Sequence, residues 1–483
     1  MHRPDRQISP VEMPASDGSG LPRWRRILLK VCISGIVLTS IVLVLDVIGA
    51  LRLRTAMEAV RASGEPLTYE EILARRPPSP EGANAAAVFL ELRPRLLEPD
   101  RGSGADRFSF RRRGRWQSLP GYRWSDEERR EVVETLERYQ AELEQLDRLQ
   151  DLPDGNLPLA IVEGARGPIR RPLYEVRLAV RLCSLRALYG VEEGDTNLLL
   201  KSTRTILRLS RLIMTLPSST GAVVSCSCDE QAVWTIERAC GLTVLPVETL
   251  VALQEALAEA EQQEPLYWGL LADRAAFFDA GQVMLKTGRS VVSGVPPTGW
   301  VPGMRGVLMM DVATGLRLHS RLVAEGHDPG SCLNLATEMA RRESSVPRVY
   351  WLTQNLFPRP GRLCHQVLQR LARLRAARTA LAAERFRLEK GRFPNQLAEL
   401  TPEYLPEPPV DPFNGRILRY NVDAQGAAVY SSAEGIHDPW WGGRGPSGMS
   451  SELGFTLLPP ERRGLPAALA TQPAVSESAP SAE

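Results

Sequence analysis

The residues able to do chemistry are few and scattered. Cys226 and Cys228 stand two positions apart, and two close thiols can bind a soft metal or form a redox couple. On a helix, however, positions two apart point about 200° from each other. No second pair with ligand spacing occurs among Cys32, Cys183, Cys240, Cys332 and Cys364. The cysteines therefore read as small buried hydrophobes, with a disulfide to Cys183 or Cys240 left open if the body is extracytoplasmic. His319 and His327 flank a turn, His365 adjoins Cys364, and His437 adjoins Asp438. Adjacent residues diverge by about 100° on a helix, so Cys364 and His365 cannot form a local nucleophile–base dyad. HExxH, GxSxG and GxxxxGK[ST] are all absent from the sequence. Enzymatic chemistry would need a site assembled from distant residues.

One stretch, 100–124, sets Arg111, Arg112 and Arg113 beside Phe108, Phe110, Trp116, Tyr122 and Trp124. Interleaved bases and aromatics can hold single-stranded nucleic acid, lie on anionic headgroups, or form a solvated loop with its rings tucked in. The formal charge of +2 over 483 residues argues against a dedicated nucleic-acid binder. The solvated loop is the leading reading.

The element that positions everything else is the apolar run Ile27–Ile48, interrupted only by Lys30 and Asp46 near its ends. At about 1.5 Å per residue it covers the roughly 30 Å hydrocarbon core of a bilayer. Signal h-regions are shorter, about 7–15 residues, so the run predicts a retained anchor that holds the protein in the lipid bilayer through residues 27–48. Arg3, Arg6, Arg23, Arg25 and Arg26, with Lys30 in its first turn, mark its front end, against Arg52, Arg54 and Arg61 after it. By the positive-inside tendency the expectation is a single-pass protein of the bacterial inner membrane, N-terminus cytoplasmic and body extracytoplasmic.

Hydrophobic residues at 43% and charged residues at 24% are globular values, so the chain beyond the anchor is expected to fold. The expected fold class is mainly α: one transmembrane helix, a helical-hairpin body and a small C-terminal α+β module. Residues 1–22 read as a disordered tail, 23–50 as the anchor, and 51–99 as juxtamembrane helices with a Pro-rich link. After the 100–124 loop, 125–360 read as the helical body. Ser125 and Glu128 form a capping box that opens a helix to about Leu149. Apolar stripes at helical spacing then run over Leu173–Val191, Asn197–Leu216, Ala222–Cys240, Val247–Gln262 and Leu266–Lys286. Residues 361–443 read as a long helix followed by strands at Leu418–Val422 and Ala427–Ser431 about an Asp423–Gly426 turn. Residues 444–483, rich in Gly, Pro, Ser and Ala, read as a second disordered tail.

The segment Ala380 to Pro394, with Gly391-Arg392-Phe393-Pro394 at its end, then Leu400-Thr401-Pro402-Glu403-Tyr404-Leu405 and Asp411-Pro412-Phe413-Asn414-Gly415, resembles the C-terminal part of major pseudopilins of type II secretion. The resemblance covers about Leu371–Gly443 and implies a long helix, a Gly-aromatic-Pro stop, a short helix and a small antiparallel sheet. In that family the loop after the last strand binds calcium through acidic and carbonyl oxygens. Here the corresponding text is Tyr430 to Asp438, with His437 where an acid is common, so Glu434 and Asp438 are the carried-over ligand candidates; the other reading is a structural loop capped by Trp440 and Trp441. The anchor lacks the prepilin-peptidase motif, which excludes a processed pilin subunit. The whole layout resembles a family of bacterial single-pass membrane proteins and implies no activity.

The leading functional expectation is a membrane-tethered scaffold that binds another envelope protein. The alternatives are an envelope enzyme with a dispersed site and an accessory component of a secretion-type assembly.

Overall fold

A single helix, α1 (Arg23–Ala62), carries the chain from the apolar run into the body without a break. The computed structural model describes residues 23–96, 121, 123–157, 171–290, 303–342, 346–356, 360–432 and 453–464. From Trp24 to Ile41 every residue of α1 is exposed. The helix is long and apolar enough to cross a membrane. Past that stretch its character changes: Leu53, Ala56 and Val60, three to four residues apart, are buried on one face.

The remaining helices are α2 (Tyr69–Ala74), α3 (Ala85–Leu96), α4 (Asp126–Arg138), α5 (Gln140–Arg148), α6 (Arg171–Glu192), α7 (Thr196–Met214), α8 (Ser219–Leu242) and α9 (Val247–Glu261). They continue with α10 (Pro265–Thr287), α11 (Met304–Ala324), α12 (Pro329–Arg342), α13 (Trp351–Leu356) and α14 (Pro360–Lys390). Sequence-coded caps start several of them: Ser125 and Glu128 close the capping box of α4, Asp195 accepts from the first amides of α7, and Ser218 accepts from Gly221 N–H at α8. The helix expected from Ser125 to Leu149 breaks at Tyr139, whose side chain is wholly buried, so α4 and α5 cover the core as two pieces.

Helix α14 ends at Gly391, where φ of +75° suits a residue without Cβ, and Pro394 forbids continuation. A short 3-10 turn at Leu397–Leu400 follows. Strands β1 (Arg419–Asp423), β2 (Gly426–Tyr430) and β3 (Gly454–Leu457) form one antiparallel sheet in the order β1-β2-β3. Asp411 organises the turn before β1. Its carboxylate accepts from Phe413 N–H at 3.0 Å, Ser432 N–H at 2.8 Å and the Ser431 hydroxyl at 3.0 Å.

Strand β3 places Gly454–Leu457 in the sheet, within the stretch 444–483 expected as a disordered tail, of which 453–464 are described. Leu453, Phe455 and Leu457 alternate inward and are buried, Thr456 N–H donates to Glu237 at 2.7 Å, and β3 pairs with β2 along its length. Nor does the core divide between 125–360 and 361–443. The largest apolar cluster runs from Ala85 on α3 through Leu250 on α9 to Leu381 on α14 and Phe455 on β3. Two smaller clusters join α1 to α10 and α11, and α12 to α14.

Candidate functional site

Two surfaces stand out: the end of the body where α1 enters, and the outer edge of the sheet. At the first, α1 and α11 cross with almost no side chain between them. A Cβ on Gly49 would lie 2.5 Å from the Gly306 carbonyl oxygen, and one on Gly306 would lie 2.5 Å from the backbone of Leu45. Only glycine permits that approach. Above the crossing, Arg52 reaches Met310 Sδ, and Leu53, Ala56 and Val60 pack with Phe277, Leu308, Met309 and Val312. Near the top of the hairpin Arg274, on α10, ion-pairs with Glu65 just beyond α1 and donates to Pro66 O at 2.9 Å.

These contacts fix the register. Residues 303–310 of α11 lie level with 42–52 of α1, and Gly281 of α10 lies against Val312. The α10 C-terminus is therefore carried back toward the apolar stretch. Lys286, Arg289 and Arg305, all exposed, stand at this end with Arg52 and Arg54 of α1. No acidic residue occurs over 281–290 or 303–310. Arg54 pairs with Glu58 and Asp46 of α1 lies at the level of Gly306, which leaves Arg52, Lys286, Arg289 and Arg305 as a basic rim beside the apolar helix, a charge that suits anionic lipid headgroups.

The second surface is β1. Among the described residues it pairs only with β2, leaving its outer backbone groups unpaired by any strand. Beside it, Val410 and Ile417 face each other in an isolated bridge. Val410, Ile417 and Val422 are 41%, 57% and 40% exposed. Segment 409–411 bonds the backbone at Arg416 and Leu418, so among the described residues the uncovered edge is that of β1 itself, with these exposed β-branched side chains on or beside it.

The interior carries many charges, several of them held by partners distant in sequence. Asp229 and Arg370 pair with both side chains wholly buried, and Arg370 also donates to Ala260 O. Asp147 holds Arg186 through two bonds, at 2.9 and 2.5 Å. Glu384 binds Arg463 through two bonds of 2.6 and 2.9 Å and Arg387 through two more. Burial pushes the Glu384 carboxyl up, but Arg387 and Arg463 outweigh it and hold the group below the usual range. Arg238 lies over the rings of Trp124 and Trp234, at 5.3 and 5.8 Å, so the last aromatic of the 100–124 stretch is tucked inward. The rest of that stretch, apart from residues 121 and 123, lies outside the described residues.

The residues singled out from the sequence do not converge. Cys226 and Cys228 are both buried on α8, and burial pushes both thiols far up. His319 is buried against Phe277, and burial with the nearby Arg274 charge lowers it to about 3. His327 stacks on Tyr267 at 4.2 Å and bonds Glu264, while His365 meets the edge of Phe413. The calcium candidates Glu434 and Asp438, like His437, Trp440 and Trp441, lie outside the described residues. Among the described residues no three of His, Cys, Asp and Glu come together as a metal site. An open hollow of about 290 Å³ between α7 and α9 is lined by Arg204, Arg208 and Arg211 on one wall and Glu255 and Glu259 on the other. Its charges largely satisfy one another: Arg211 pairs with Glu259 and Arg208 with Asp154.

No family model matches the chain, and neither curated proteins nor solved structures give a significant match.

Proposed function

We propose that this protein is a membrane-tethered interaction protein of the bacterial envelope. Helix α1 crosses the inner membrane with its N-terminus cytoplasmic and holds the body on the outer lipid surface, where the basic rim meets headgroups. Lys286, Arg289 and Arg305 lie too far along the chain to direct insertion, so they bear on lipid contact and not on orientation. The edge of β1 receives an extended segment of another envelope protein by strand addition. The observation that carries this reading is the free edge of β1 beside exposed Val410, Ile417 and Val422. Main-chain bonds along 420–422 would supply affinity, with Val422 on one face of the added strand and Ile417 beside Val410 on the other. The order of α14, the Gly391–Pro394 stop and the β1–β2 hairpin also supports a pseudopilin-like module at 361–443.

The test is a double substitution, Ile417→Glu with Val422→Glu, in the full-length chain. Partner recovery from solubilised membranes should fall at least tenfold, while alkaline-resistant membrane retention and thermal unfolding stay unchanged. Undiminished recovery of the same partner would refute strand-edge docking.

A further inference from the structure

Cys332 lies in the first turn of α12 and Cys364 in the first turns of α14, and the two helices pack together with Leu363, Val367, Ala336 and Met339 around them. Both residues are fully buried, and their sulfur atoms are 2.8 Å apart. Non-bonded heavy atoms settle at about 3.5–4.0 Å even for carbon, and sulfur is larger. Two thiols cannot rest at this separation: the sulfurs must move apart into a packed cluster or close by less than about 1 Å to the bond length of about 2.05 Å. Each thiol is the other's side-chain partner, and the Cys364 sulfur is also reached by its own backbone N–H. All seven cysteines are free in the structure, and Cys332 and Cys364 are the two that it brings sulfur to sulfur.

We infer that Cys332 and Cys364 form a disulfide that clamps α12 to α14, a redox modification site in the body; this rests on the extracytoplasmic placement proposed above, where disulfides persist. The bond forms by exchange with a disulfide-bearing oxidant. One cysteine thiolate attacks the oxidant's disulfide and releases one thiol. The second cysteine then displaces the other half from the mixed disulfide. Two Sγ–H bonds are lost and one Sγ–Sγ bond is gained, and two electrons and two protons end on the oxidant, which leaves as two thiols. The hydrogen bond with Cys332, and then burial, push the Cys364 thiol far above its usual range in the folded body. Exchange therefore belongs to the folding chain, before α12 and α14 close, and the finished bond is shielded from reductants.

The experiment uses full-length protein from its own membranes, with free thiols alkylated in denaturant before tryptic digestion without reductant. The expected product is one linked species joining the peptide 322–341 to the peptide 363–370, with the remaining cysteines alkylated. Reductant kept present through the melt, so that it meets the bond as the body opens, should lower the unfolding midpoint by several degrees. Cys332→Ala with Cys364→Ala should start from that lower midpoint and ignore reductant; should that variant not fold, the peptide result alone decides. Finding both peptides alkylated without reduction overturns the disulfide. If external protease digests the body of the same preparation in spheroplasts, the disulfide alone fails; if the body is protected, the proposed topology fails with it.

Discussion

Gly49 and Gly306 bring the backbones of α1 and α11 into direct contact where the apolar helix meets the body, a Cβ on either one reaching 2.5 Å from the other helix's main chain. The crossing makes α1 more than a leash. The same helix that is exposed from Trp24 to Ile41 is a buried structural member from Leu53 to Val60, so the body is held at a fixed angle to whatever surrounds the apolar stretch.

Gly306→Leu should therefore separate the helices. Overpacking costs about 1–3 kcal/mol where side chains can yield, and here the obstacle is backbone, so the loss should reach the top of that range. Thermal unfolding in nanodiscs should show a midpoint several degrees lower. Gly35→Leu, in the exposed part of α1 with nothing within 4 Å of its would-be Cβ, should leave it unchanged.

Arg463→Met should release the C-terminal strand. It leaves the Glu384 carboxylate buried with Arg387 as its remaining partner, and breaking one side of a buried pair costs about 3–5 kcal/mol. Hydrogen exchange at residues 454–457 should quicken well before exchange in α8. Adding Glu384→Gln should recover part of the loss, because the stranded charge is then gone.

These two relationships mark the limit of what the sequence makes legible. Stripes, caps and Gly/Pro stops are local signals, and they place most helices, the turn at Gly391 and the β1–β2 hairpin within a few residues. Strand β3 is four residues inside a Gly-, Ser- and Pro-rich stretch. It is a strand because β2, Glu237 and Glu384 receive it or the residues beside it, and none of those is near in sequence. The ion pairs Arg274–Glu65 and Arg370–Asp229 span 209 and 141 positions, and no short-range pattern encodes such a meeting. Among the candidate surfaces, the apolar run was plain, whereas the basic rim appears only once Lys286, Arg289 and Arg305 are carried back beside α1. The strand pair was legible, but not which edge stays open.

Stability should respond to pH in two opposed ways. Burial raises Glu237 to about 7 against the opposing pull of Thr456 N–H and Arg373. The folded state then holds a proton that the unfolded chain releases near 4.5, so acidification from pH 8 to 5 stabilises the fold. His319 acts in reverse. Lowered to about 3 by burial and Arg274, it stays neutral where the unfolded chain takes up a proton near 6.5, and stability falls as pH drops through that value. Unfolding midpoints at pH 5 and pH 8 should show Glu237→Gln losing the gain at pH 5 and His319→Gln losing the penalty. Unaltered pH profiles in both variants would count against these assignments.

Raising ionic strength should loosen the body from lipid without extracting it. Headgroup attraction by Lys286, Arg289 and Arg305 is screened over about 10 Å at 0.1 M salt, whereas the apolar span is not. In nanodiscs containing anionic lipid, exchange over 285–290 and 303–308 should be slower than in zwitterionic nanodiscs, and the difference should vanish in 0.5 M salt or in the Lys286→Glu, Arg289→Glu, Arg305→Glu triple variant.

If β1 docks a partner in the envelope, site-specific photocrosslinking in living cells shows it most directly. A photoreactive residue at Val422 should give one discrete adduct, lost when Ile417→Glu is added, while the same probe at exposed Glu144 on α5 gives none. A Val422 probe that yields no adduct above the Glu144 control would contradict the account.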